Sequence, residues 1–511
     1  MNLAPSIFKA YDIRGVYPGE LDDEGAYAIG RAYATLLLRE LDEPLLRIAV
    51  GSDARLSSPS LKATLIKGIT ETGLNVLDIG FVSTPTFYFA VAAHRYHGGV
   101  QVSASHNPKE WNGFKIVRKG AVSMGLETGL QEIKRIIETN DFAALVSEEK
   151  KGLVSQVPSI VDTQILQQGS ILMAKHPIRA LKVVVDTGNG MGVTELRALF
   201  KRLPVLNIIW MNEALDGNFP GHPADPMNPD NTVALRERIV AEKADLGIAT
   251  DGDGDRVFFF DEKGDAIPQE ILRAIMAEIV LEEHPKAKIV YDTRPGKITP
   301  DIILEKGGKP VLAPVGSTLI KAVMVKEGAV YGGESSGHHF FAFDYGTFEA
   351  PTTLIVHFLQ FVSRITQPVS VSIHPYRRYF NSGEINTALE SRAAGLGLIE
   401  KLKSRFSNGV QNVIDGLSVT YPDYSFNVRL SNTEPLIRLI VESPKKEKME
   451  EKKEEILGLI RGVTLPLVKC DARTVVSVSP FLQHWSEYVS YILLGAVAIG
   501  ILLYEKLSVI R

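Results

Sequence analysis

The sequence predicts a multidomain α/β protein: three related α/β units, a smaller α+β domain, and an apolar tail helix. Three observations predict it. A short apolar run ending in an Asp-containing polar turn occurs three times, at 48–53, 183–188 and 289–294. A second strand-like run leading into a polar loop follows each of these, at 99–102, 246–249 and 328–331. After Pro368 the pattern changes to shorter strand candidates.

Each first run carries β-branched residues and stops at a turn, as a buried strand entering a loop does. Helical patterns follow at 61–72, 193–202 and 298–306. Open α/β sheets place ligands beyond the carboxyl ends of their strands, so each unit is expected to donate one loop to a shared site. Charged or Pro-containing joints near 147–152 and 261–268 divide the chain into 1–147, 148–260, 261–367, 368–465 and a tail, 466–511. In the fourth part, strands are expected at 416–421, 425–430 and 437–442, with helices at 388–406 and 445–461. The Lys/Glu run 445–455 reads as a solvated helix face.

A chain of 511 residues, 45% hydrophobic and 23% charged, has the composition of a globular protein with several cores. Its net charge of -4 and the lack of a basic stripe interleaved with aromatics argue against nucleic acid as a partner. Cys470 is the only cysteine, so neither an internal disulfide nor a CxxC zinc site is expected, and a reducing cytoplasm fits. Lys9, Asp12 and Arg14 interrupt any apolar run at the N-terminus, which is unlike a secretory signal. From Tyr488 to Tyr504 no residue is charged. That run is near the lower limit for crossing a bilayer, about 17 residues, and is read as a C-terminal membrane helix, with a buried or partner-docking helix as the alternative.

Four loops carry chemistry. In Asp251-Gly252-Asp253-Gly254-Asp255-Arg256, alternating glycines let three carboxylates turn onto one centre; the spacing is not that of an EF-hand, and oxygen-only donors with open positions suit magnesium and a phosphorylated partner. Ser105, beside His106 and Asn107 and followed by Lys115, lies among donors suited to a phosphorylated oxygen. Glu334 and Ser336, in a glycine-rich loop, suit vicinal sugar hydroxyls, and His338 adds a group able to move a proton near neutrality. Arg429, Ser431, Asn432, Thr433 and Arg438 combine guanidinium, hydroxyl and backbone donors of the kind that hold an unreacting phosphate.

In this order and at these separations, the four loops resemble those of the α-D-phosphohexomutases, nearest the bacterial phosphomannomutase/phosphoglucomutase branch. Phe8-Lys9-Ala10-Tyr11-Asp12-Ile13-Arg14-Gly15 resembles the family's N-terminal signature, and the likeness runs over roughly 5–465. It implies a heart-shaped, four-domain isomerase that interconverts hexose 1- and 6-phosphates of mannose or glucose through a phosphoserine and a bound 1,6-bisphosphate. By motif match Ser105 carries the phosphoryl group, and Asp251, Asp253 and Asp255 hold magnesium together with it. Glu334 and Ser336 bind sugar hydroxyls, and Arg429, Ser431, Asn432, Thr433 and Arg438 seat the distal phosphate. Tyr11, Arg14, His106, Lys115, Arg256, Arg294 and His338 line the site.

Two departures are visible. Gly316-Ser317-Thr318 stands where relatives often have a Gly-His turn, which leaves His338, and after it Lys115, as the acid/base candidates. Arg294 replaces a lysine found in some relatives, keeping charge but not proton transfer. The alternatives are phosphoglucosamine mutase and, from another class, a membrane-held homologue that binds sugar phosphate without turnover.

Overall fold

The structure is a computed structural model that describes residues 3–431 and 435–462, except Pro44 and Pro295 and the side chains of 170–175. Asn432, Thr433, the expected end of the fourth domain at 465 and the tail run 488–504 lie outside the described residues. Among the described residues no helix is long and apolar enough to cross a membrane.

Three sheets share one connection pattern. In the first, Asn75–Phe81, Arg47–Ser52 and Gly98–Val102 run parallel in that spatial order, and Trp111–Arg118 returns antiparallel beside Gly98–Val102. The second places Asn207–Met211, Lys182–Asp186, Leu246–Thr250 and antiparallel Val257–Phe260 in the same order. The third does so with Lys309–Ala313, Lys288–Asp292, Tyr331–Gly333 and antiparallel His339–Phe343. In each, the segment joining the third strand to its antiparallel neighbour is one of the loops singled out above: serine, triple aspartate, Glu334–His338. These segments leave the carboxyl ends of parallel strands, where open α/β sheets leave room for ligands.

Each sheet has additions. Ile13–Val16 pairs antiparallel with Trp111–Arg118, which brings Arg14 opposite Gly113. Val154–Gln156 extends the first sheet beside Asn75–Phe81, so that sheet draws on chain beyond the expected joint at 147. The third strand of the third sheet begins at Tyr331, later than the expected 328–331. Gly328 explains this: at φ 63° it ends the helix Ser317–Glu327 in the left-handed region that glycine enters without a Cβ clash.

The fourth sheet is antiparallel, in the order Phe380–Asn381, Leu436–Ser443, Ser425–Leu430, Leu417–Thr420, Val410–Asn412, with Ile385–Ala388 also on Leu436–Ser443. The helices Arg392–Arg405 and Lys446–Arg461 belong to this α+β domain. The first of them starts later than the expected 388, because 385–388 is taken into the sheet and Ser391 Oγ caps the helix by accepting from Ala394 N.

The second and third units share one core, in which Phe259 and Phe358 lie 4.2 Å apart between ring centroids. The helix Pro351–Arg364 is buried along most of its length there and packs against Ile160–Lys175 and Gln269–Glu283. Between the first and second units Ser83, Thr86, Gln164 and Glu195 form a buried polar network, in which burial pushes the Glu195 carboxyl up to about 7 against the pull of its hydrogen bonds. A network satisfied this way fixes the two units' relative register.

Candidate active site

Ser105 is held in an uncommon backbone conformation, φ 53°, and is 2% exposed. A non-glycine residue in that region costs about 1–3 kcal/mol and persists only where its surroundings over-determine it. Here they do. Ser103 Oγ accepts from Ser105 N at 3.0 Å, and the buried Arg55 donates to the carbonyls of Ser105 (2.7 Å), Asn107 (2.7 Å), Pro108 (2.6 Å) and Trp111 (3.1 Å). Asp53 balances that guanidinium at 3.1 Å. Arg14 ties the loop from the other side, donating to Asn107 Oδ1 at 2.5 Å and Ala104 O at 3.2 Å while paired with Asp12. The Ser105 hydroxyl thus projects from a fixed turn.

The triple-aspartate loop meets it. Ser105 Oγ donates to Asp251 Oδ2 at 3.3 Å, and a Cβ on Gly252 would come within 2.6 Å of Ser105 O, so only glycine permits that approach. Thr84, at the start of the helix Thr84–Ala93, bonds Asp253 through both its hydroxyl (2.7 Å) and its backbone N (3.0 Å). Asp251, Asp253 and Asp255 are buried and each offers a carboxylate oxygen within 4.8 Å of the others. Asp253 Oδ1 is buried without a hydrogen-bond partner. An acceptor so placed costs free energy unless a cation satisfies it. Three hard oxygen donors with a seryl oxygen alongside therefore fit a divalent metal of the magnesium kind.

Lys115 reaches across from the first sheet to Asp253 at 2.8 Å and Asp255 at 2.7 Å. Burial alone would lower its pKa, but those carboxylates outweigh burial and hold it well above the usual lysine range. Asp255 goes the other way: burial works to raise it, and Lys115 and His338 hold it well below the usual carboxylate range. Burial and its two neighbouring aspartates push Asp251 well up.

The third loop joins through Asp255. His338 Nε2 lies 3.2 Å from Asp255 Oδ1, and its Nδ1 is 2.9 Å from Glu334 Oε2 and 2.9 Å from Ser336 Oγ. Burial would make this imidazole less basic, but Asp255 and Glu334 prevail and raise it to about 9. These two carboxylates thus favour the imidazolium form of His338. Activity that needs this charge should fall as pH rises through about 9, and His338→Gln should remove that limb from the kcat profile; an unchanged limb would assign it elsewhere. His106, whose Nδ1 is 3.2 Å from Ser105 Oγ, is driven strongly the other way by Arg256, burial and Arg14, and stays neutral. Arg256 lies over the metal loop, its Nε 3.7 Å from Asp251 Oδ2.

Glu334 is held by Arg294 at 2.8 Å, and Arg294 by Asp292 at 2.7 Å. Arg273, buried, locks Asp292 and Ser335 at 2.8 and 2.7 Å. Tyr11 OH donates to Val315 O at 3.2 Å, linking the N-terminal signature to the turn at Gly316, where φ is 133° and a Cβ would strike the Tyr11 ring.

Arg429 and Arg438 face each other on adjacent strands of the fourth sheet, and Glu384 bridges them at 2.9 and 2.8 Å. Arg438 also donates to Ser431 Oγ at 3.3 Å. Asp415 fastens this domain to the third, its Oδ2 accepting from Val315 N at 3.1 Å and Thr293 Oγ1 at 3.3 Å. Of the residues expected from sequence, those of the three loops at 103–108, 251–256 and 332–338 fall together, with Arg14, Lys115, Arg256 and Arg294 around them, while Tyr11 meets the turn at Val315–Gly316. Arg429, Ser431 and Arg438 form a second group. Arg55, Asp53, Thr84, Arg273 and Glu384 were not foreseen. For Arg55 the available signal was its place two residues after an aspartate at the end of a buried strand.

Three like α/β units that bring a strained, buried serine, three carboxylates and the Glu334–His338 loop to one point define a multidomain α/β protein with one shared, highly charged site. Comparison with known proteins gives the class a name. The phosphoglucomutase/phosphomannomutase descriptions match in order: alpha/beta/alpha domain I at 5–144, domain II at 163–264, domain III at 268–379 and the C-terminal domain at 384–459. A Vibrio cholerae phosphomannomutase is 39% identical over 468 residues, 90% of this chain and 99% of that protein. A Neisseria meningitidis phosphoglucomutase is 32% identical over 464 residues, covering 90% and 98%. A solved phosphoglucomutase/phosphomannomutase family structure from Burkholderia thailandensis aligns with a TM-score of 0.81 at 31% identity, covering 91% of this chain and 100% of that one. The chain belongs to the phosphoglucomutase/phosphomannomutase family of α-D-phosphohexomutases.

Proposed function

We propose that Ser105 is the phosphoryl carrier of this enzyme and that its substrates are the 1- and 6-phosphates of mannose or glucose. The chain is an isomerase that transfers phosphoryl groups within hexose phosphates. The observation that carries the residue assignment is the convergence on Ser105 Oγ of the corresponding loops from the second and third units, through Asp251 and then through Asp255 to His338.

In this reading the free hydroxyl of a hexose monophosphate takes the phosphoryl group of phospho-Ser105 as the Ser105 Oγ–P bond breaks, the hydroxyl proton passing to the departing seryl oxygen, and the bound 1,6-bisphosphate forms. The intermediate turns end for end, and its other phosphate returns to Ser105. Phosphoryl transfer asks little covalent chemistry of the protein and much positioning and charge stabilisation. Lys115, Arg14, Arg256 and protonated His338 supply positive charge around the moving group. Asp251, Asp253 and Asp255 hold magnesium, which when bound supplies further charge stabilisation at the phosphoryl oxygens. Glu334 and Ser336 grip the sugar hydroxyls, with Arg294 orienting Glu334. Arg429, Ser431, Asn432, Thr433 and Arg438 seat the distal phosphate, and Tyr11 lines the cleft from where the first unit meets the turn at Val315–Gly316.

The division at 147, 260, 367 and 465 is proposed as approximate, with the first sheet's last strand lying past the first of these. The catalytic domains are expected in the cytoplasm, and the uncharged run 488–504 is the one support for membrane contact. Rates on mannose 1-phosphate, glucose 1-phosphate and glucosamine 1-phosphate test the substrate assignment. Mannose and glucose phosphates should lead by about ten-fold or more, as a site matched to particular polar groups disfavours an altered one; a clear preference for the amino sugar would overturn it.

A further inference from the structure

Glu384 enters the fourth domain between the strands Phe380–Asn381 and Ile385–Ala388. Its two oxygens are divided between two guanidinium groups: Oε2 accepts from Arg429 Nη2 at 2.9 Å and Oε1 from Arg438 Nη1 at 2.8 Å. The two arginines stand directly opposite in an antiparallel pair, where like charges repel. The carboxylate neutralises that repulsion. One anion accepting a charge-assisted bond from each of two guanidinium groups makes a kind of contact that phosphate oxygens can also make. The Arg429 side chain is 5% exposed, so that arginine is fixed in the wall, whereas Glu384 at 27% and Arg438 at 22% are the members solvent can reach. Glu384 is also felt at Arg294, where burial lowers the pKa but Asp292, Glu334 and, more weakly, Glu384 prevail and hold it above the usual value.

We propose that Glu384 is a positioning residue that competes with the substrate's distal phosphate for Arg429 and Arg438. It holds the two guanidinium groups together in the empty site, yields them to the phosphate, and by returning to them helps release the bisphosphate for its half-turn. The inference rests on the reading that these arginines seat the distal phosphate. A phosphate dianion outcompetes a carboxylate for an arginine pair, but by less than it would gain from an unoccupied one. Glu384 therefore sets phosphate affinity low enough for the intermediate to let go.

The test uses the full chain with Glu384→Gln, nearly isosteric and uncharged, and Arg438→Ala in parallel. For each, kcat and KM are measured with glucose 1-phosphate and mannose 1-phosphate, with inorganic phosphate as competitive inhibitor. Glu384→Gln should lower KM and the phosphate inhibition constant by about ten-fold at low salt, the scale of one charge-assisted contact, and lower kcat as release slows. A residue with a merely structural role would not tighten phosphate binding. A folded Glu384→Gln protein with KM unchanged or raised overturns the proposal. Should that variant not unfold cooperatively, Glu384→Asp, which shortens the reach, should move both constants the same way by less, and constants unchanged or raised overturn it equally. Arg438→Ala should raise KM. If it does while Glu384→Gln fails to lower KM, only the competitor role falls. If Arg438→Ala leaves KM unchanged, the phosphate seat itself is wrong and the competitor role falls with it.

Discussion

Replacing Ser105 with alanine should reduce turnover by at least about 10⁴-fold, the scale of losing a covalent nucleophile, with no loss of folded structure. The substitution removes only Oγ. The bonds that hold the turn, from Ser105 N to Ser103 Oγ and from Arg55 to the carbonyls, involve backbone atoms of the turn and survive. The pairs with Asp251 and His106 are lost, but at 3.3 and 3.2 Å they are weak contacts. Cooperative thermal unfolding near the wild-type midpoint, together with no isomer formed in a discontinuous assay, is the expected pair of results. Appreciable turnover by the folded variant would remove Ser105 from the reaction.

The second large effect is expected at Asp253. Asp253→Asn should reduce kcat by on the order of 10²–10³-fold, the usual cost of one preorganised electrostatic group, and abolish dependence on added magnesium. Oδ2 accepts from Thr84 and Lys115, while Oδ1 is buried and unpartnered. An amide in that position removes the charge that balances Lys115, and wherever its NH₂ falls a donor or a missing charge faces the cation. Magnesium should raise the unfolding temperature of the wild-type protein, since a ligand bound only by the folded state stabilises it, and should leave that of the variant unchanged. The same magnesium-induced shift in both proteins would argue that the ion binds elsewhere.

The sequence made the three-fold repetition legible because buried parallel strands are apolar runs stopped by a polar turn, and because the residues that converge on the site lie in such loops. Ser105, the three aspartates, Glu334 and His338 could be picked out for that reason. What could not be read locally depends on pairs far apart in the chain. Arg55 acts on carbonyls 50 to 56 positions away, and Thr84 reaches Asp253 across 169. Glu384 meets Arg429 and Arg438 only because three strands of the fourth sheet lie side by side. The residue type of His338 marks it as an acid/base group, yet its protonation state follows from Glu334, four positions earlier in the same loop, and from Asp255, which only tertiary packing brings to it. The displaced strand at 331–333 and the later start of the helix at 392 have a more local origin, in a glycine cap and a serine cap that the apolar pattern does not register.

The most direct test of the account is the fate of labelled phosphate on the enzyme. Incubating the full chain with hexose 1,6-bisphosphate carrying labelled phosphate should place one label on the protein, mapped by peptide mass to Ser105. A chase with unlabelled hexose 1-phosphate should transfer that label to the sugar within a single turnover. Label on another residue, or label that stays on Ser105 while isomerisation proceeds, would contradict the carrier role from which the rest of the mechanism follows.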